Sequence, residues 1–130
     1  SLNNTFVLDY TNDWGENGKR LDLRGTADGV QIILTCGSTE NPADESLNLG
    51  VYETLNATNE GLATVMIGWN IEGITSGSDG DNAVINLSSL NTQNNNCSGT
   101  FSFSTIDFST DSTNYEVSDG VFTDLAYTVQ

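Results

Sequence analysis

Residues 97–129 constrain the fold more than any other stretch of this chain. Cys97, Gly99, Phe101 and Phe103 alternate there with Ser98, Thr100, Ser102 and Ser104, and a period of two marks a strand with one buried face. One face is apolar and the other hydroxylated. Four of the five phenylalanines, Phe101, Phe103, Phe108 and Phe122, fall in this stretch, so it is expected to supply the core. Asp119-Gly120 stands between the strand-like segments 115–117 and 121–129, and Asp-Gly suits a type I′ turn because both central residues need positive φ. The sequence therefore predicts a core hairpin turning at Asp119-Gly120. Past residue 104 the apolar phase moves by one, to Ile106 and Phe108, which predicts a β-bulge or a strand bending between sheets near Ser104-Thr105.

The rest of the chain follows the same rule. Residues 5–10 read as a first strand, and a polar loop carrying the turn pair Asn17-Gly18 leads to residues 20–25, where Leu21 and Leu23 alternate with Asp22 and Arg24. Asp28-Gly29 then joins that strand to residues 30–36, with Val30, Ile32, Leu34 and Cys36 on one face. Strands two and three should pair directly. Residues 37–48, which hold the only proline, read as a loop. Residues 49–55 form another strand. The longest apolar run, 62–71, reads as one central strand with Ala63, Val65, Ile67, Trp69 and Ile71 facing inward, which makes Trp69 a core residue. After a Gly/Ser/Asp loop come residues 83–87, and an asparagine-rich segment, 91–96, precedes the strand that starts at Cys97. Nowhere does a helical apolar stripe appear, and no repeat or linker divides the chain. These signals predict one all-β domain over residues 1–130, an antiparallel β-sandwich or closely related β-barrel of about eight to nine strands.

A chain of 130 residues can bury roughly two-thirds of its unfolded surface, so it needs no metal or dense crosslinking to hold a core. Three Lys and Arg stand against 18 Asp and Glu, a formal net charge of -15. That field repels nucleic acid and anionic membrane. No apolar run reaches the roughly 18 residues of a membrane helix, and Ser1-Leu2-Asn3-Asn4 is neither a basic nor an apolar leader, so the chain reads as mature or trimmed.

Histidine is absent, which excludes Ser-His-Asp and Cys-His catalysis and histidine-bearing zinc sites. Carboxylate pairs such as Asp9 with Asp13, or Asp107 with Asp111, arise by chance among so many acids, and the expectation is a non-enzymatic domain. Cys36 and Cys97 each lie on the apolar face at a strand end and are expected to form a disulfide, worth roughly 4 kcal/mol for a loop of about 60 residues. Calcium is the one cofactor that the acidic loops fit. Asp9, Asp13 and Glu16, and in a second loop Asp79 and Asp81, place hard oxygen ligands among turn-forming glycines; the other reading is plain turn chemistry. Trp14 sits in a polar loop, where its indole must fold back as a lid or stand out as a stacking platform. With Tyr10 and Tyr52 nearby it would make a sugar-binding face, and the partners to expect are a glycan or a surface protein.

Residues 82–90, Cys97-Ser-Gly-Thr-Phe-Ser-Phe-Ser and Val117-Ser-Asp-Gly-Val-Phe-Thr-Asp-Leu-Ala-Tyr127 together resemble the C-terminal signature of small β-rich surface lipoproteins of the Bacteroidetes type, a domain family without assigned function. The hairpin 20–36 and Leu49-Gly50-Val51-Tyr52 resemble its earlier strands, so the likeness covers about 100 residues. The Cys pair and the Trp14 loop depart from the family pattern. The resemblance implies export, with attachment to the outer cell surface through a lipid-bearing segment outside these residues, or release. It implies no chemistry and no catalytic residue.

Overall fold

A computed structural model of the chain describes residues 2–11, 17–27, 29–40, 47–56, 58–75, 82–107, 109–110 and 112–129, with the backbone alone at 2–11, 17–18, 27 and 129. Every regular element among them is a strand: β1 (Leu2–Thr11), β2 (Asn17–Ala27), β3 (Val30–Ser38), β4 (Gly50–Glu53), β5 (Asn59–Ile67), β6 (Asn70–Ile74), β7 (Ala83–Asn91), β8 (Asn96–Ile106), β9 (Thr113–Ala126) and β10 (Thr128–Val129). The hydrogen-bonded order is β10-β1-β2-β3-β5-β4-β7-β8, with β9 on the outer side of β8 and β6 pairing both β5 and β8. Strands β5, β4, β7, β8 and β6 thus form a closed circuit. The sheet curls until its inward faces share one core, the all-β sandwich or barrel that the alternation predicts.

The β2–β3 hairpin forms as expected. Ala27 pairs with Val30 across a two-residue loop, Gly29 takes φ +79°, and the register runs on to Lys19 opposite Ser38. This places Leu21, Leu23, Leu34 and Cys36 on the inner face with no solvent exposure. From the far side β8 and β9 contribute Phe101, Phe103 and Phe122, with ring centroids 6.5 Å apart for Phe101–Phe103 and 6.4 Å for Phe101–Phe122. Burying each large apolar side chain contributes roughly 1.5–3 kcal/mol. The inward parity of Phe101 and Phe103 is therefore as the alternation requires.

Three expectations about strand boundaries change. Strand β9 runs through Asp119-Gly120 without turning, and the hairpin to β8 turns instead at residues 107–112, where the Asp107 amide donates to the Ser112 carbonyl at 2.9 Å and Asp107 Oδ1 accepts from the Ser109 amide at 2.7 Å. Phe101 pairs with Gly120 and Phe103 with Val117, so β9 carries one extra residue there, with Asp119 at φ 56°. The positive φ foreseen for a turn serves a bulge.

The apolar run 62–71 also differs, because it is two strands. Ile67 pairs with Asn70 across Gly68-Trp69, and Gly68 has φ +62° while Trp69 does not enter the positive region. A glycine at the first central position alone is the type II′ pattern.

Finally, the β-bulge expected near Ser104-Thr105 is present one residue on: the β8–β9 register shifts between Thr105 and Ile106, where β9 carries Asn114 as the extra residue, and Ser104 and Thr105 are both buried. Thr105 is fully buried, and its hydroxyl donates to Asn114 Oδ1 at 2.9 Å while Asn114 Nδ2 donates to the Glu72 carbonyl at 2.6 Å. The Asn17-Gly18 pair lies within β2 rather than in a turn.

Candidate functional site

Two exposed apolar features stand out on this scaffold. The first is the β5–β6 hairpin tip. Trp69 is 96% exposed, and Ile67 and Ile71 on either side are 43% and 46% exposed. The inward parity that would have buried Trp69 ends at the turn, so the indole projects from the end of two paired strands. Large apolar side chains so placed gain nothing for the core and make the tip a candidate contact surface.

The second is a trough on the outer face of β7, β8 and β9. One cross-strand row runs Val51–Asn86–Thr100–Val121, and the next runs Glu53–Val84–Ser102. On this face β8 presents the hydroxyl side chains of Thr100 and Ser102, which lie low between Val84 on β7 and Val121 on β9. One groove of about 330 Å³ lies over Thr100, Ser102 and Gly120, walled by Val84, Val121 and Asp119. Another of about 470 Å³ continues past Ser104 to Glu116 and Ser118. Val84 is 38% and Val121 64% exposed. The trough mixes the apolar Val84 and Val121 with hydroxyl side chains, and acidic residues, Asp119, Glu116 and Glu53, stand along it.

All three cationic residues, Lys19, Arg20 and Arg24, lie on β2. Arg20 Nη2 approaches Asp22 Oδ2 at 3.3 Å, and Asp22 Oδ1 accepts from Thr35 Oγ1 at 3.1 Å. Neither the tip nor the trough carries a positive charge. Comparison with known proteins adds nothing to this geometry. No family model, curated protein or solved structure matches the chain.

The residues singled out from sequence fare differently. Tyr52, expected beside Trp14 on a stacking surface, is completely buried in β4, and its hydroxyl donates to the Asn48 carbonyl at 2.6 Å. Burial holds that hydroxyl well above the usual tyrosine range, with the nearby Cys36 adding to the effect. It is a core residue and offers no face to a sugar. Trp14, Asp13, Glu16, Asp79 and Asp81 lie outside the described residues, and Asp9 and Tyr10 are placed in β1 by their backbone alone. Among the described residues no three acidic or cysteine side chains gather as a metal site, and no helix is long and apolar enough to cross a membrane.

The expected disulfide is not formed. Cys36 and Cys97 are both buried free thiols. Burial raises both above the ordinary thiol value of 9.0, Cys97 to about 12 and Cys36 further still, with Cys97 and Asp22 adding their charge to the burial of Cys36. Thiols so held are neutral and unreactive near pH 7 and serve as small apolar packing groups.

Neither exposed feature is evident from the sequence. The tip was hidden because Ile67, Trp69 and Ile71 keep strand parity across the turn; Gly68-Trp69, a Gly-X pair, was the available signal. The trough was present as the hydroxyl face of β8, but nothing in one strand shows that both neighbours carry valines opposite it.

Proposed function

We propose that this chain is a non-enzymatic binding or structural module of the cell surface or secreted space, and that it engages its partner through the β5–β6 tip. The observation that carries the reading is Trp69, 96% exposed between half-exposed Ile67 and Ile71 at the end of a paired hairpin. Tryptophan is the residue most often found as an interface anchor, because one indole supplies a large apolar contact with few torsions to freeze. A rigid sheet behind the anchor keeps the ordering cost low. The extracellular setting rests on the resemblance of residues 82–127 to exported surface lipoproteins, and the strongly acidic surface suits solubility there.

A carbohydrate-binding module built on Trp14 is the second reading, with calcium bound by Asp9, Asp13 and Glu16. It loses Tyr52, which is buried, and keeps Trp14 and Tyr10.

The test uses three immobilised probes: a glycan array, neutral phosphatidylcholine vesicles and the protein itself. Wild type is expected to be retained on one of them, Trp69→Ala to lose that retention, and the melting temperature to stay the same. Retention lost in Trp14→Ala instead moves the site to the first loop. Equal retention of wild type and Trp69→Ala overturns the reading.

A further inference from the structure

We infer that the outer trough is a binding site separate from the β5–β6 tip, and that it takes an extended peptide segment with two cationic side chains flanking an apolar one. One cross-strand row starts at Glu53 on β4, passes Val84 and Ser102, and ends on β9 at Ser118 and Asp119, which together face Ser102. Glu116 lines the adjoining groove on the same strand. The exposed apolar surface of Val84 and Val121 is thus bracketed by carboxylates at both ends.

Those carboxylates set the class of partner. Asp22 meets Arg20, and Asp107 accepts from the Ser109 amide. By contrast, among the described residues the side chains of Glu53, Glu116 and Asp119 have neither a hydrogen bond nor an ion pair. Glu53 also stands directly opposite Glu60 of β5, and like charges opposed across neighbouring strands repel. A cation between them relieves that repulsion.

Spacing narrows the partner further. From β4 to β9 there are three strand spacings, roughly 14 Å. An extended peptide sets every second side chain on one face, so residues four apart span roughly 13 Å. A cation, an apolar side chain two residues on and a second cation two further on therefore match Glu53, the gap between Val84 and Val121, and Asp119 with Glu116. Other partners fit less well. A sugar needs an exposed ring to stack on, whereas Phe101 and Phe103 beneath the trough are buried. The net charge of -15 repels nucleic acid, anionic membrane and a second copy alike.

The experiment is an amide NMR titration of the intact chain with the capped peptide Lys-Ser-Val-Ser-Lys, in about 0.1 M salt, where the screening length of roughly 10 Å confines the effect to nearby charges. Saturable shifts are expected at Val84, Thr100, Ser102 and Gly120, and affinity should fall about tenfold in about 1 M salt. The same peptide with acetylated lysines, and Lys-Ser-Ser-Ser-Lys, should each bind several-fold more weakly. The triple variant Glu53→Gln, Glu116→Gln, Asp119→Asn should bind about tenfold more weakly, the combined worth of a few exposed ion pairs. A second triple variant, Glu40→Gln, Glu72→Gln, Asp124→Asn, removes as much charge outside the trough lining and should stay within about twofold of wild type. Trp69→Ala should bind like wild type, so loss of the tip as a recognition element leaves this site untouched. Amide spectra confirm that each variant is folded. Absence of saturable shifts in wild type, shifts that map outside the trough, equal losses in the two triple variants, or equal binding of a peptide lacking the lysine charges or the valine overturns the proposal.

Discussion

The ring of Phe101 on β8 occupies the space that a Cβ on Gly120 of β9 would need. The two residues are register partners, so the bare backbone of one is the seat of the other's ring. Phe122 repeats the arrangement over Gly99, and the two rings meet at 6.4 Å. An aromatic ring laid over a cross-strand glycine restores the packing that the missing side chain gives up.

Gly120→Ala is therefore expected to cost about 1–3 kcal/mol by overpacking, and Phe101→Ala about 3–5 kcal/mol by opening a cavity. The double variant should lose less than the sum, because the new methyl then has room. Urea melts of the three variants decide this, and additive losses would show that the ring and the glycine do not compete for one space.

Trp69→Ala should leave stability within about 0.5 kcal/mol of wild type, the range for surface positions that touch nothing. Iodide should quench much of the native fluorescence in wild type and less in the variant. A drop of several degrees in melting temperature would return Trp69 to the core.

Thr105→Val should be destabilising by about 0.5–1.5 kcal/mol, the net worth of one hydrogen bond to the exposed Asn114, although it adds an apolar group to the core. It leaves Asn114 Oδ1 without the hydroxyl now 2.9 Å away. Asn114→Ala removes the other partner and should cost a similar amount, with the pair coupled in a double-mutant cycle. A neutral Thr105→Val would mean that water replaces the hydroxyl.

With Cys36 and Cys97 unbonded, thiol titration in denaturant without reductant should find two reactive groups, and reductant should leave the melt unchanged. A folded-state value raised above the unfolded one means that both thiols contribute fully below pH 9 and that their contribution is lost as pH climbs from 9 towards 12 for Cys97 and beyond for Cys36. The loss per thiol is up to about 1.4 kcal/mol per pH unit. A Cys36→Ala, Cys97→Ala variant should show a shallower alkaline decline than wild type, and equal slopes would exclude the thiols as its cause.

The fold class was legible because alternation is enforced wherever one sheet face is buried, and Leu21, Leu23, Leu34, Phe101 and Phe103 all obey it. Asp28-Gly29 and Asp119-Gly120 show where local reading stops. The same dipeptide ends a strand at one place and bulges a continuous strand at the other. The difference lies in Phe101, about twenty residues away in sequence and directly opposite in space, which no window around Asp119 contains. Thr105 shows a second limit: a hydroxyl at an inward position looks like a broken pattern until Asn114 is found to satisfy it. The tip and the trough were least legible, because exposure at Trp69 and a groove between β7 and β9 are properties of neighbours and not of any one segment.

Parallel pairing of β10 with β1, Val7 with Thr128 and Leu8 with Val129, has a kinetic meaning. Every other long pairing in the sheet can form from segments closer together in the chain, whereas this contact joins its two extremes. The loop it closes is the longest available and the slowest to reward its entropy. The outer edge of β1 must therefore wait for the last strand, and until then it presents unpaired amides and carbonyls to any passing chain.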